Sequence, residues 1–231
     1  MPEHRDRGRP AIHRLLCGHV PVHSNPISRV PKPAPDADAQ PPPLDAESQW
    51  LADAQAGDRE AYARIVEAYW DRLFRWLFHM TRDQHRAEDL TQETFLKALA
   101  GLKSFRVGTN FRAWLFRIAH NNFVNMKRTD RRATVPLPDD APELHASSPE
   151  QCAVDREAVQ VVLNALRELP ADFRSAILLR AEEGLSFKEI AAIQKTTEET
   201  ARWRVFKARQ KLLKLLPQEL LPTPKDDGND S

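Results

Sequence analysis

The chain has 231 residues, 29% charged and 41% hydrophobic, and its 34 Lys or Arg against 33 Asp or Glu leave a formal net charge of +1. That length holds one large or two small domains, and the composition is that of a soluble protein, for which a cytoplasmic location is expected. No run approaches the roughly 18 apolar residues of a membrane helix, the one apolar stretch near the start is broken by His13, Arg14 and His19, and Cys17 and Cys152, far apart in stretches that look unstructured, fit a reducing compartment and give no disulfide framework.

Proline divides the chain. Ten of its 18 prolines lie at or before Pro43, four between Pro136 and Pro149, three from Pro217 onward, and only Pro170 falls elsewhere. Because proline lacks an amide donor and clashes with the preceding turn, long helices are confined to the spans between these groups. Residues 1–44 combine proline with few large apolar side chains, so ordering them costs entropy with little burial in return, and a disordered leader is expected. Residues 134–156 are expected to form a flexible acidic linker, since Asp139, Asp140, Glu143, Glu150 and Asp155 follow one another with no Lys or Arg between them. Residues 218–231 are expected to form a disordered tail. Two modules remain, 45–133 and 157–217.

In the first module Tyr62, Ile65, Val66, Tyr69, Trp70, Leu73, Phe74 and Leu77 recur at intervals of three and four, which predicts an amphipathic helix. A second helix is predicted from about Arg86 to Leu102, with Ala87, Leu90, Thr94 and Ala98 on one side. A third starts near Asn110 with Phe111, Trp114, Leu115, Ile118 and Ala119, then turns basic. No alternating strand pattern occurs. The fold class is therefore all-α, with two small helical domains.

The second module predicts a helix from about Val154 to Leu169, a break at Pro170, and a helix from Asp172 to Glu183 stopped by Gly184. Ser186 then begins a short helix through Gln194, with Glu189 at capping-box distance. After Lys195, Thr196 and Thr197, a long helix runs to about Leu216. A short helix, a tight turn and a basic helix make the shape of a helix-turn-helix DNA reader.

On that last helix Ala201, Val205, Ala208 and Leu212 share a narrow sector and should face the core. Glu199, Thr200, Trp203, Phe206, Lys207 and Lys211 then face outward, flanked by Arg202 and Arg204, with six Lys or Arg and no acid between Thr200 and Leu216. Such side chains contact phosphates and base edges. The third helix of the first module carries Arg112, Arg117, Lys127, Arg128, Arg131 and Arg132 against one acid, Asp130, with Asn121, Asn122 and Asn125 among them. Cations draw the phosphate backbone and amides hydrogen-bond unstacked bases. The neighbouring aromatics Phe105, Phe111 and Trp114 have the spacing of core residues. On the second helix Asp89, Gln92, Glu93 and Leu96 lie opposite the apolar stripe, an acidic face around an outward leucine that is either solvated surface or a protein docking site.

The segments AEDLTQETFLKAL (87–99), FRVGTNFRAWLFRIAHNNFVNMKR (105–128) and GLSFKEIAAIQKTTEETARWRVFKARQKL (184–212) resemble regions 2 and 4 of the extracytoplasmic-function group of the sigma-70 family. The resemblance implies a dissociable initiation subunit without a catalytic site. Its partners would be the bacterial RNA polymerase core enzyme and promoter DNA, with an anti-sigma protein as a further candidate partner. By this likeness Asp89, Gln92, Glu93 and Leu96 meet the polymerase clamp helices. Arg112, Arg117, Asn121, Asn122, Asn125, Lys127 and Arg128 meet the minus 10 element and its flipped base, and Thr200, Arg202, Trp203, Arg204, Phe206 and Lys207 meet the minus 35 element. The sequence departs from the family pattern at Lys195, where glycine is usual, so a differently built turn is expected. Trp203 stands where a small residue is common, so no minus 35 sequence preference is carried over from the family.

Two rival readings are weaker. A ligand-sensing or dimerising helix-turn-helix regulator accounts for residues 184–214 but not for the acidic face or the Asn-rich helix. An enzyme built on His79, His85, Glu88 or Asp89 lacks any HExxH, Walker or nucleophile-elbow pattern. No catalytic residue, metal, cofactor or small-molecule substrate is expected, and the cluster His13, Cys17, His19 and His23 is read as chance spacing in the leader.

Overall fold

The structure is a computed structural model that describes residues 44–132 and 153–217. The expected leader, tail and most of the linker, with Cys17, Cys152 and the histidines near them, lie outside the described residues. Among those described, all regular structure is helical, and no helix is long and apolar enough to cross a membrane.

The first module opens with α1 (Leu44–Gln55), which the periodicity did not single out because its apolar face is short. Leu51 and Ala54 are buried, and the Gln55 amide donates to the carbonyls of Leu102 (2.8 Å) and Phe105 (2.6 Å), fixing the helix to the far end of the module. The central helix α2 (Arg59–Thr81) begins where the Asp58 carboxylate accepts from the Glu60 and Ala61 amides, satisfying two donors that no helical carbonyl reaches. It buries Ile65, Tyr69, Leu73, Phe74, Trp76 and Leu77, each at 1% exposure or less. Burying side chains of this size contributes about 1.5–3 kcal/mol apiece before entropy is subtracted.

Asp83 caps α3 (Gln84–Gly101), which continues as a 3-10 turn through Ser104. Gly101 is required by close approach: a Cβ there would lie 3.3 Å from the Trp114 ring. Helix α4 (Phe111–Arg132) closes the module, packing Phe111, Leu115, Phe116 and Ala119 on α2 and α3.

The second module runs through α5 (Ala153–Arg167), α6 (Ala171–Ala181), α7 (Phe187–Gln194) and α8 (Glu198–Leu215). Pro170 sits at the N-cap of α6, where a missing amide hydrogen costs nothing. The predicted capping box is present, with Ser186 and Glu189 satisfying each other's backbone amides. Arg174 is 5% exposed and spends its guanidinium on carbonyls, donating to Leu166 (3.0 Å), Arg167 (3.2 Å) and Leu169 (2.9 Å) at the end of α5 and to His79 (2.9 Å) in the first module. A cation at a helix C-terminus also meets the negative end of its dipole.

The two modules pack on each other, α4 against α7 and α2 against α6. Arg72 of α2 pairs with Glu183 at 2.8 Å, Arg112 of α4 donates to the Glu183 carbonyl at 2.5 Å, and Asn110 donates to Glu189 at 2.6 Å. Arg82 donates to the Arg167 carbonyl.

Candidate functional site

The acidic face lies on α3. Its apolar side, Ala87, Leu90, Phe95 and Ala98, is buried, so the 100° rotation per residue turns Asp89, Glu93 and Leu96 outward, with Gln92 half-buried. Leu96 is 68% exposed, the most exposed of the large hydrophobic side chains described. Glu93 pairs with Lys97 at 2.6 Å, and the same ammonium donates to the Asn122 amide oxygen at 2.6 Å. Lys97, which the sequence reasoning passed over, therefore ties this face to α4.

On α4 the predicted base-contacting residues separate into two groups. Arg117, Asn125, Lys127 and Arg128 are exposed and Asn121 is half-buried, on the surface that continues along the basic end of the helix. Asn122 stands apart from them: it is 4% exposed, its amide nitrogen donates to the Thr94 hydroxyl at 3.1 Å and its oxygen accepts from Lys97, so it joins α4 to α3. Arg112 likewise points into the junction between modules, half-buried on the Glu183 carbonyl. Phe105, Phe111 and Trp114 form one ring cluster with centroids 5.0–5.5 Å apart, the core arrangement their spacing predicts.

In the helix-turn-helix, Ala201 and Ala208 are wholly buried and Leu212 is 1% exposed, while Arg202, Trp203, Phe206 and Lys207 project outward. Thr197 caps α8 by accepting from the Thr200 amide, and the two hydroxyls lie 3.0 Å apart. Arg204 is less available than expected, held by Asp172 at 3.1 Å and Gln194 at 2.8 Å with 19% side-chain exposure. The expectation of a differently built turn is also corrected. Lys195 takes the left-handed conformation itself, φ 53° and ψ 49°, and donates its amide to the Ala191 carbonyl as a glycine would.

Phe187 is a further residue that no local sequence pattern marks. The guanidinium carbons of Arg180 and Arg202 lie 4.8 Å and 5.2 Å from its ring centroid. The cation–π contact with Phe187 and the Arg202–Glu198 pair at 3.2 Å hold Arg202 in place at the outer edge of α8. Glu199 is held below the usual carboxylate range by its own backbone N–H and the Thr197 hydroxyl, so it remains an acceptor at neutral pH.

Buried titratable groups line the junction. Burial, with Arg75, Arg174 and Arg167 nearby, lowers His79 to about 4. Burial lowers His120 to about 4 against the opposing charge of Asp172. Burial raises Glu182 to about 8 although Arg75 lies close by. His79 and Glu182 approach to 3.9 Å, but with those shifts both are neutral near pH 7 and the contact is not an ion pair. Neither facing atom has a hydrogen-bond partner among the described residues. Among the described residues no group of three or more His, Cys, Asp or Glu is placed to hold a metal ion.

Comparison with known proteins places these surfaces in context. The profile described as Sigma-70 region 2 matches residues 65–133, and that described as Sigma-70, region 4 matches residues 160–212. The chain is 36% identical over 162 residues to the ECF RNA polymerase sigma factor SigE of Mycolicibacterium smegmatis, covering 68% of this chain and 63% of that protein. It is 32% identical over 180 residues to the RNA polymerase sigma-H factor of Pseudomonas aeruginosa, covering 74% and 93%. Among solved structures, the sigma factor RpoE in complex with the anti-sigma factor NepR from Bartonella quintana superposes with a TM-score of 0.58 at 29% identity, over 67% of this chain and 95% of that one. CnrH in complex with the cytosolic domain of CnrY gives 0.56 at 27%, over 74% and 97%.

Proposed function

This chain belongs to the extracytoplasmic-function group of the sigma-70 family, and from that premise we propose that it joins core RNA polymerase and directs promoter-specific transcription initiation. Residues 45–133 act as region 2 and residues 157–217 as region 4. Asp89, Gln92, Glu93 and Leu96 form the polymerase-docking face. Arg117, Asn121, Asn125, Lys127 and Arg128 engage the minus 10 element, and Arg202, Trp203, Phe206 and Lys207 enter the major groove at the minus 35 element.

One observation carries the reading: Leu96 stands 68% exposed among carboxylates, on a helix joined through Lys97 to the Asn-rich helix behind it. An exposed leucine ringed by charge is the composition of an interface centre with a polar rim. A regulator that acts on DNA alone has no use for it.

The chain contributes no reacting group. Opening a duplex requires unstacking, about a few kcal/mol per flipped base, which amides and cations that hold extruded bases and phosphates supply. Two weak DNA contacts on one polymerase surface act together through effective concentration. The complex of RpoE with the anti-sigma factor NepR makes an anti-sigma protein a candidate partner for this chain as well. The test is co-elution of the purified chain with core polymerase: the native chain forms a stoichiometric complex and Asp89→Arg does not, whereas equal binding by both contradicts the docking face.

A further inference from the structure

Beside the outward face of α8 lies a groove of about 370 Å³. Leu169, Pro170, Phe173 and Trp203 make its apolar floor, with the Trp203 ring edge-on to Phe173 at 5.3 Å and still 50% exposed. Lys207, Lys211 and Lys214 make its rim. None of these lysines is ion-paired among the described residues: Lys207 reaches Gln210 at 3.5 Å and Lys211 the Glu168 carbonyl at 2.7 Å. An apolar floor under a cationic rim fits a short segment that carries adjacent apolar side chains followed by carboxylates.

The chain itself continues into such a segment. Residues 218–231 read QELLPTPKDDGNDS, with Leu220 and Leu221 first, then Asp226, Asp227 and Asp230, and one lysine, Lys225. It departs from the end of α8, one helical turn from Lys214. From Leu216 back to Lys207 along a helix is about 14 Å, and the four or five residues from Leu216 to Leu220 and Leu221 span about 13–18 Å when extended. The aspartates follow within reach of the DNA-facing end of α8, since Thr200 lies only about 24 Å from Leu216.

We propose that residues 218–231 occupy this groove, Leu220 and Leu221 against Phe173 and Trp203 and the aspartates among the cations of α8, so that the tail competes with DNA for the recognition helix. This rests on the reading of α8 as the DNA-contacting helix. The segment acts as an internal anion: it covers Trp203 and Lys207 in the free chain and yields when duplex DNA is held nearby.

The test compares the full chain, a chain ending at Pro217, and full-length Leu220→Ser/Leu221→Ser. Fluorescence anisotropy reads binding to a short labelled duplex of mixed sequence, and acrylamide quenching reads tryptophan exposure. Truncation and the double serine variant each tighten duplex binding at least about fivefold at low salt and raise quenching, and a synthetic 218–231 peptide reverses both effects on the truncated chain. Equal affinity and quenching in all three forms overturn the proposal while leaving the reading of α8 intact. A serine variant that behaves as the full chain while truncation tightens binding reduces the tail to net charge and overturns the groove. Tightening by Asp139→Asn/Asp140→Asn instead of truncation assigns the groove to the linker, and a truncation effect that grows with protein concentration assigns it to a second copy; either overturns it. If no form binds duplex DNA, the reading of α8 fails and the competition falls with it.

Discussion

Arg72 and Glu183 meet at 2.8 Å across the boundary between the two modules, with side-chain exposures of 13% and 2%. Each belongs to a different functional unit, and together with the Arg112 bond to the Glu183 carbonyl they hold α2 and α4 against the loop after α6. In the proposed function the two modules engage separate promoter elements on the polymerase, so this contact is a feature of the free chain and gives way on assembly.

Arg72→Ala is expected to open the molecule. Removing one partner of a buried ion pair leaves an uncompensated charge, at about 3–5 kcal/mol, unless the modules part and Glu183 regains water. Small-angle scattering therefore shows a larger radius of gyration for Arg72→Ala than for the native chain; an unchanged radius means that other contacts hold the modules together.

Closure is expected to peak near pH 6.5. Glu182 is raised to about 8 in the packed state, so closure takes up a proton and weakens as pH rises from about 6.5 toward 8, by about 2 kcal/mol at most over that window. His79 and His120 are lowered to about 4, so closure expels protons from them and weakens as pH falls below their ordinary 6.5. Charged groups of the second module face them: Arg174 and Arg167 toward His79, and Asp172, Arg204 and Lys195 toward His120. Arg75 and Arg72 of α2 face Glu182, which also has Glu183 beside it. Scattering across pH 5–8.5 gives the smallest radius in mid-range, and Glu182→Gln abolishes the alkaline limb.

Asn122→Ala and Asn125→Ala are expected to fail in different ways. The first removes two hydrogen bonds, one to the Thr94 hydroxyl and one from Lys97, at about 0.5–1.5 kcal/mol each, and shows as a lower midpoint in urea. The second leaves stability within about 0.5 kcal/mol of native, as an exposed substitution should, and shows as slower promoter opening by permanganate footprinting.

Lys195→Gly is expected to stabilise the second module. A non-glycine residue in the left-handed region costs about 1–2 kcal/mol, part of which is returned by the greater freedom of glycine in the unfolded chain. A net gain of up to about 1 kcal/mol in thermal or urea unfolding follows; a loss indicates that the lysine side chain contributes more than its backbone strain costs.

Much of this architecture is visible in the residues themselves. The stripe from Tyr62 to Leu77, the glycines at turns and the Ser186–Glu189 capping box are local signals, and they predict α2, α7 and their boundaries within a few residues. Helix α1 escapes because two buried side chains make no stripe, and its anchor is Gln55 bonding to carbonyls some 47 and 50 residues away. The burial of Asn122 is hidden for a related reason: residue type and spacing cannot tell an amide turned toward Thr94 and Lys97 from one turned toward solvent three residues on. Helical spacing separates the buried and outward faces of α8, but Arg204 has a partner on α6 that no helix-local pattern contains.

The most direct measurement is run-off transcription by purified core polymerase over a promoter library, with the native chain, Asp89→Arg and Lys207→Ala. The account predicts that the native chain supports initiation at a defined promoter set, that Asp89→Arg abolishes initiation on every template, and that Lys207→Ala shifts the preferred upstream element while leaving core binding unchanged. Initiation that is indifferent to the chain, or full activity in Asp89→Arg, contradicts it.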